Sequence, residues 1–63
     1  MMGSKLKSRR KELKMSVYDV ASKTKLSPTY ISNLENEQKK NPSKDSMEKI
    51  ANALETSVFE LFF

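Results

Sequence analysis

The chain has 63 residues, so it is long enough for one domain only, which we place at residues 1–63. It contains no cysteine and no histidine, which excludes a disulfide framework and removes the commonest metal ligand and general base. Residues 1–40 carry a net charge of +6 and residues 41–63 a net charge of −2, within a total of +4. The basic N-terminal part favours a polyanion as partner, although the same charges could form a solvated surface.

Several classes of protein are disfavoured by what the sequence lacks. No apolar run approaches the roughly 20 residues of a membrane span, and the N-terminus lacks the apolar stretch of a secretory signal. Gly3 is the only glycine, so a Gly-rich phosphate loop is excluded. The candidate acids Glu12, Asp19 and Glu48 do not form a pair in a cleft. We therefore expect a cytoplasmic protein that is not an enzyme, with no membrane contact, catalytic residue, metal or cofactor.

Apolar spacing predicts five helices and no strand, an all-α fold. The first helix is expected at residues 4–14, where Leu6, Arg10 and Leu13 share one helix face. A charged residue on an inward face requires an oppositely charged partner, and this makes Arg10 a candidate for an ion pair.

The second helix is predicted at residues 17–25. Ser16 stands before it as an N-cap, and Asp19 supplies an acidic side chain in its first turn. Its inward positions follow the i, i+3, i+4, i+7 spacing of one helix face. These positions are Val17, Val20, Ala21 and Thr24.

The third helix is predicted at residues 28–36, close behind the second. Ser27 and Pro28 form a cap followed by the residue best tolerated in the first turn. Only Lys25 and Leu26 separate the two helices, and the apolar Leu26 is expected to pack into the core. Two short helices about so tight a turn match the helix-turn-helix layout, which presents its second helix to the DNA major groove.

The remaining two helices follow a polar connector at residues 37–42. Pro42 disfavours helix at the preceding residue, and Ser43 is the expected cap of the fourth helix. Ser57 is expected to cap a short fifth helix at residues 58–62. The apolar positions of all five helices sum to one small core. Its predicted members are Leu6, Leu13, Met15, Val20, Ala21, Leu26, Ile31, Leu34, Met47, Ile50, Ala51, Leu54, Val58 and Leu61.

At this point the chain resembles the phage-repressor/Cro (XRE-type) helix-turn-helix family over nearly its whole length. Single elements are weak evidence, but the full ordered set is specific. The matching residues are Gly3, Leu6, Arg10, Leu13, Met15-Ser16, Val20-Ala21, Leu26-Ser27-Pro28, Ile31, Leu34-Glu35, Asn41-Pro42-Ser43, Ile50-Ala51, Ala53-Leu54, Ser57-Val58 and Leu61. The resemblance implies a compact five-helix, lambda-repressor-like DNA-binding domain whose second and third helices form the helix-turn-helix.

The resemblance also implies a structural ion pair between Arg10 and Glu35. In this family glycine often stands where helices end in the left-handed conformation, at the positions here occupied by Lys14, Lys25 and Glu37. A residue with a Cβ costs of order 1 kcal/mol in that conformation. Either the second helix ends differently here, or the chain accepts the strain.

The outward face of the third helix is the predicted base-reading surface on double-stranded DNA. Asn33 is the strongest candidate, because an amide can bond adenine N6 and N7 together. Thr29 can meet a thymine methyl group or a hydrogen-bonding edge, Ser32 can bond several bases, and Pro28 offers apolar contact only. The alternative for Asn33 is an ordinary surface amide.

Phosphate contacts are predicted around this face. The N-terminus of the second helix is a natural anion seat, and the family places its phosphate contacts at the matching positions, Ser16 and the Val17 amide. The remaining predicted phosphate contacts are Arg9, Tyr30, Asn36, Lys39 and Lys40. For Arg9, Lys39 and Lys40 the alternative is a solvated charge, and for Tyr30 it is a cover for the edge of the core.

The C-terminal helix carries more aromatic residues than it can bury, which indicates an interface. The resemblance implies a homodimer on a palindromic operator, with Val58, Phe59, Phe62 and Phe63 at the dimer interface, and a transcriptional regulator, most often a repressor, of bacterial or phage origin. A further domain or a protein antagonist could cover these rings instead. The competing hypothesis is a protein-interaction module, such as the antitoxin of a toxin–antitoxin pair.

Overall fold

The computed structural model describes residues 2–37 and 42–63, and this part of the chain forms five helices and no strand. The predicted all-α fold is therefore confirmed. Helix α1 packs against α3 and α5, α2 packs against α3 and α4, and α4 packs against α5. None of these helices is long and apolar enough to cross a membrane. Their bounds are α1 (Met2–Glu12), α2 (Val17–Thr24), α3 (Pro28–Glu35), α4 (Lys44–Ala53) and α5 (Val58–Phe62).

Serine side chains begin four of the five helices, as predicted. Each serine has extended backbone geometry, and its hydroxyl accepts the backbone N–H of the residue three positions on, at 3.0–3.2 Å. Such a cap satisfies an amide that the helix itself cannot pair and contributes about 1 kcal/mol. The four cap pairs are Ser16 with Asp19, Ser27 with Tyr30, Ser43 with Ser46, and Ser57 with Glu60.

The first four helices end at residues in the left-handed conformation, and none of these residues is a glycine. The chain therefore accepts the strain that the missing family glycines imply. At the end of α1 the Met15 amide donates to the Arg10 carbonyl at 3.1 Å, the long bond of a Schellman motif. The left-handed residues are Lys14 (φ 56°), Lys25 (φ 62°), Glu37 (φ 60°) and Glu55 (φ 56°).

Helix α1 lies two residues earlier than the predicted 4–14 span. It ends at Glu12 because Lys14 turns left-handed, and it begins at Met2, which places Gly3 inside the helix. A Cβ on Gly3 would lie 2.3 Å from the carbonyl oxygen of Glu35. The start of α1 therefore touches the end of α3 backbone to backbone, an approach that only glycine permits.

One hydrophobic core fills the space between the helices. Every fully buried apolar side chain in the described residues had been predicted as core, and Leu13, Met15, Leu26 and Val58 pack against this group while partly exposed. Met47, also predicted as core, is only half-buried. The buried members are Leu6, Val20, Ala21, Ile31, Leu34, Ile50, Ala51, Leu54 and Leu61.

Candidate nucleic-acid interface

A bidentate ion pair fixes the end of α3 to α1. The Arg10 Nε donates to Glu35 Oε2 at 2.6 Å, and Nη2 donates to Oε1 at 3.0 Å. The two side chains are only 11% and 5% exposed, and the hydrogen bond to Glu35 raises the pKa of Arg10. The third guanidinium nitrogen donates to the Met15 carbonyl at 2.8 Å. One side chain thus joins α1, the loop before α2 and the end of α3.

The turn between α2 and α3 is held by a buried threonine. The Thr24 hydroxyl donates to the Val20 carbonyl at 2.8 Å and accepts the Leu26 amide at 3.3 Å. Leu26 packs against the core, as its apolar character predicted. Because both ends of the turn are fixed, the direction in which α3 leaves α2 is fixed as well.

An open groove lies between the start of α2 and the outward face of α3. All four residues predicted to read bases line it, together with two residues of α2. Thr29 is exposed, while Pro28, Ser32 and Asn33 are half-buried in the walls. The lining residues are Val17, Tyr18, Pro28, Thr29, Ser32 and Asn33.

The polar side chains that α3 contributes to this groove are unpaired within the described part of the chain. The side chains of Thr29, Ser32 and Asn33 make no hydrogen bond to residues 2–37 or 42–63, whereas the cap hydroxyls elsewhere are all engaged. Donors and acceptors that have no internal partner and line an open groove are available to a ligand without breaking any internal bond. The arrangement therefore suits hydrogen bonding to the polar edge of a ligand that enters the groove.

The N-terminus of α2 offers fewer free amides than the sequence suggested. The Asp19 amide donates to Ser16 Oγ at 3.0 Å, and the Ser16 amide donates to the Asp19 carboxylate at 2.8 Å, a complete capping box. These bonds lower the pKa of Asp19. The amides of Val17 and Tyr18 keep no acceptor in the described residues, so they are the donors left for an anion.

Arg9 has an internal role that the sequence did not suggest. Its Nε donates to the Leu54 carbonyl at 2.9 Å, and Nη2 donates to the Glu55 carbonyl at 3.2 Å, at the end of α4. Its third nitrogen lies 3.2 Å from Glu12. Three of the five N–H groups of this guanidinium are engaged by the end of α4 and by Glu12, so the structure favours a capping role for Arg9 over the predicted phosphate contact.

The other predicted phosphate contacts differ in position. Tyr30 is half-buried and packs against the core, which favours the alternative of a core cover for its ring. Asn36 is exposed immediately after α3. Lys39 and Lys40 lie outside the described residues, so their phosphate contacts stay predictions.

The C-terminal helix presents an aromatic surface. Phe59 and Phe63 are 71% and 74% exposed, and their rings stack with centroids 6.3 Å apart. Phe62 and Val58, also predicted at an interface, are half-buried and pack against the core. The exposed pair, rather than the whole predicted set, therefore forms the free apolar surface of α5.

Two short helices with a tight, internally bonded turn, the second carrying unpaired polar side chains, define a helix-turn-helix protein. A family model described as Helix-turn-helix matches residues 6–61. The chain belongs to this helix-turn-helix family, as the sequence resemblance predicted. It is a DNA-binding regulator of that class and not an enzyme.

Two solved structures are similar to the chain. A crystal structure of SinR, the master regulator for biofilm formation, in complex with DNA is 33% identical, with a TM-score of 0.94 and full coverage of both chains. A complex of the SinR and SinI proteins is 34% identical with a TM-score of 0.91, and the match covers 97% of this chain and 59% of that one. No curated protein matches the chain significantly.

Proposed function

We propose that this protein binds double-stranded DNA sequence-specifically and regulates transcription, reading the major groove with the outward face of α3. The observation that carries the proposal is the groove in which the side chains of Thr29, Ser32 and Asn33 have no hydrogen-bond partner among residues 2–37 and 42–63. An asparagine amide matches the N6 and N7 groups of adenine, and the threonine and serine hydroxyls bond either kind of edge. The solved structure of SinR with DNA supports a DNA ligand for a chain of this shape.

A phosphate is proposed at the start of α2. Its seat is formed by the positive end of the helix dipole and by the amides of Val17 and Tyr18, which have no acceptor in the part of the chain that the structure describes. Ser16 keeps a hydroxyl hydrogen to donate. The Asp19 carboxylate occupies part of this terminus and weakens the attraction. Asn36, at the other end of α3, is a further proposed phosphate contact. Lys39 and Lys40, outside the described residues, are proposed as phosphate contacts on their charge.

The proposed assembly is a homodimer on a palindromic operator. Phe59 and Phe63 supply an exposed apolar surface, and Val58 and Phe62 would form its base. A two-fold axis there would set two α3 helices about 34 Å apart, one helical turn of DNA. Bound across a promoter, such a dimer would block polymerase and act as a repressor in the cytoplasm of a bacterium.

A second candidate for the aromatic surface is a protein antagonist. A chain similar to this one occurs in the complex of the SinR and SinI proteins, which supports a protein partner for this fold. Phe59 and Phe63 are the exposed apolar residues on which such a partner would pack. Under this proposal an antagonist would compete with dimerisation and release the DNA.

The experiment that tests the proposed function is selection of bound DNA from a random double-stranded pool at about 150 mM salt, where nonspecific binding is weak. We expect an enriched palindrome with half-sites one helical turn apart. Enrichment of single half-sites would argue against the dimer, and enrichment of nothing would argue against sequence-specific binding.

The selected operator then allows a matched pair of variants to be compared. Asn33→Ala should weaken operator binding by about 1–3 kcal/mol and leave binding to random DNA unchanged. Asn52→Ala removes an equally small amide from the exposed face of α4 and should change neither. Lys39→Ala should weaken both kinds of binding and flatten the salt dependence, since a phosphate contact carries no sequence information.

A further inference from the structure

The groove between α2 and α3 is lined by three apolar or aromatic residues that base hydrogen bonding does not explain. Val17 and Tyr18 of α2 and Pro28 of α3 line the groove together with the polar side chains of α3. The sequence places Val17 at an inward position of α2 and predicts a phosphate contact at its amide, whereas it predicts no contact for Tyr18. The sequence did contain a signal for Tyr18, because residue 18 falls outside the inward spacing of α2 and is therefore a surface position.

Tyr18 is unusual among these three residues because its aromatic ring is largely exposed. Its side chain is 73% exposed, although a large aromatic ring in a small domain is commonly at least half covered. Val17 beside it is half-buried and packs against the core, so the backbone that carries Tyr18 is anchored. An exposed ring on an anchored helix, at the edge of a groove with unpaired polar groups, is suited to a ligand that enters this groove.

Thymine supplies the one apolar group on the major-groove edge of the bases, its C5 methyl. Apolar residues and an asparagine amide in one groove match a thymine next to an adenine, because the methyl group needs dry contacts and the adenine needs two hydrogen bonds. We propose that Tyr18 belongs to the DNA interface and that it forms, with Val17 and Pro28, a contact for the C5 methyl of one thymine in each half-site. This inference rests on the proposed function.

The test uses deoxyuridine, which pairs like thymine but lacks the C5 methyl. Each thymine of the selected operator is replaced in turn, and the Kd is measured by fluorescence anisotropy with the unmodified chain. We expect one position in each half-site at which deoxyuridine weakens binding about fourfold, the effect of one buried methyl group. An operator in which deoxyuridine has no effect at any position would overturn the inference while leaving the proposed function intact.

Two variants assign that effect to Tyr18. The deoxyuridine penalty is the ratio of the Kd for the substituted operator to the Kd for the thymine operator. With Tyr18→Ser this ratio should fall to near one at the sensitive position. With Tyr18→Phe it should stay at about four, because the ring and not the hydroxyl makes the contact. A penalty that stays fourfold in Tyr18→Ser would overturn the inference. Thermal melting would verify that both variants fold, as expected for so exposed a side chain. Failure of the chain to select any DNA sequence would overturn both this inference and the proposed function.

Discussion

Arg10 in α1 and Glu35 at the end of α3 form a two-point ion pair that connects the scaffold to the proposed recognition helix. Both side chains are almost fully buried, so each charge is shielded from water and is compensated by the charge of its partner. The contact lies on the inward face of α3, where the Glu35 side chain is almost fully buried, and not on the outward face that carries Thr29 and Asn33. It therefore orients the helix without occupying the surface proposed to meet DNA.

Breaking this pair should destabilise the fold strongly. Glu35→Leu leaves the Arg10 guanidinium buried without its partner, and we expect a loss of about 3–5 kcal/mol in the free energy of unfolding. Urea denaturation followed by circular dichroism measures it. The double variant Arg10→Met with Glu35→Leu should recover much of this loss, because it removes both charges, while the Met15 carbonyl still loses its donor.

The matched control is an exposed pair on α4. Lys49 lies 3.1 Å from Asp45, with the two side chains 48% and 75% exposed. Lys49→Ala should cost less than about 1 kcal/mol, since solvent screens such a pair. A Glu35→Leu variant no less stable than Lys49→Ala would show that the buried pair does not stabilise the fold.

The left-handed residue in the helix-turn-helix turn offers a stabilising change. Lys25 has φ 62°, where a Cβ is unfavourable, so Lys25→Gly should raise the free energy of unfolding by about 1 kcal/mol. Lys23→Gly, two residues earlier inside α2, should lower it by about 1 kcal/mol because glycine is a poor helix residue. Thermal melting of both variants tests whether the melting temperature rises for Lys25→Gly and falls for Lys23→Gly. Two shifts in the same direction would refute the strain at Lys25.

The close approach of α1 to α3 predicts a cost for the smallest possible side chain at Gly3. Gly3→Ala places a methyl group against the Glu35 carbonyl, so the helices must move apart, and we expect a loss of about 1–3 kcal/mol. Ser4→Ala, at the exposed neighbouring position, should be neutral or slightly stabilising because alanine favours helix. If Gly3→Ala melts at or above the temperature of the unmodified chain, the backbone contact is not as close as described.

The capping box of α2 predicts a dependence of stability on pH. The bonds to Ser16 lower the pKa of Asp19 in the folded state below the unfolded value of about 3.9. Its contribution is therefore fully present above that unfolded value and is lost as the pH falls through it toward the folded-state pKa. Asp19→Ala should melt below the unmodified chain at pH 7, and the gap should narrow below about pH 4.

Glu48→Ala is the control for this pH effect. Glu48 is exposed and makes no hydrogen bond or ion pair in the described residues, so its removal should shift melting by an amount that changes little with pH. A gap for Asp19→Ala that is the same at pH 7 and pH 3 would mean that the carboxylate bonds to Ser16 do not stabilise the folded state.

Local patterns in the sequence determined most of the fold. The serine caps, the 3.6-residue apolar spacing and the short turn at Lys25 and Leu26 act within a few residues, so they set where α2 to α5 begin and which faces are buried. The same spacing identified the outward face of α3, because side chains that do not face the core of a small helical protein face solvent. The family membership followed from the ordered combination of these signals.

The tertiary structure decided what depends on residues far apart in the chain. The sequence predicts a phosphate contact for Arg9, with a solvated charge as the alternative. Only the approach of α1 to the end of α4 gave its guanidinium the carbonyls of Leu54 and Glu55. Tyr18 joined the groove only when α2 and α3 were set beside each other. Gly3 acquired its role because α1 reaches the last turn of α3. Helix formation is a short-range property, whereas the pairing of surfaces depends on how the helices pack, and that packing determined which side chains remain free for DNA.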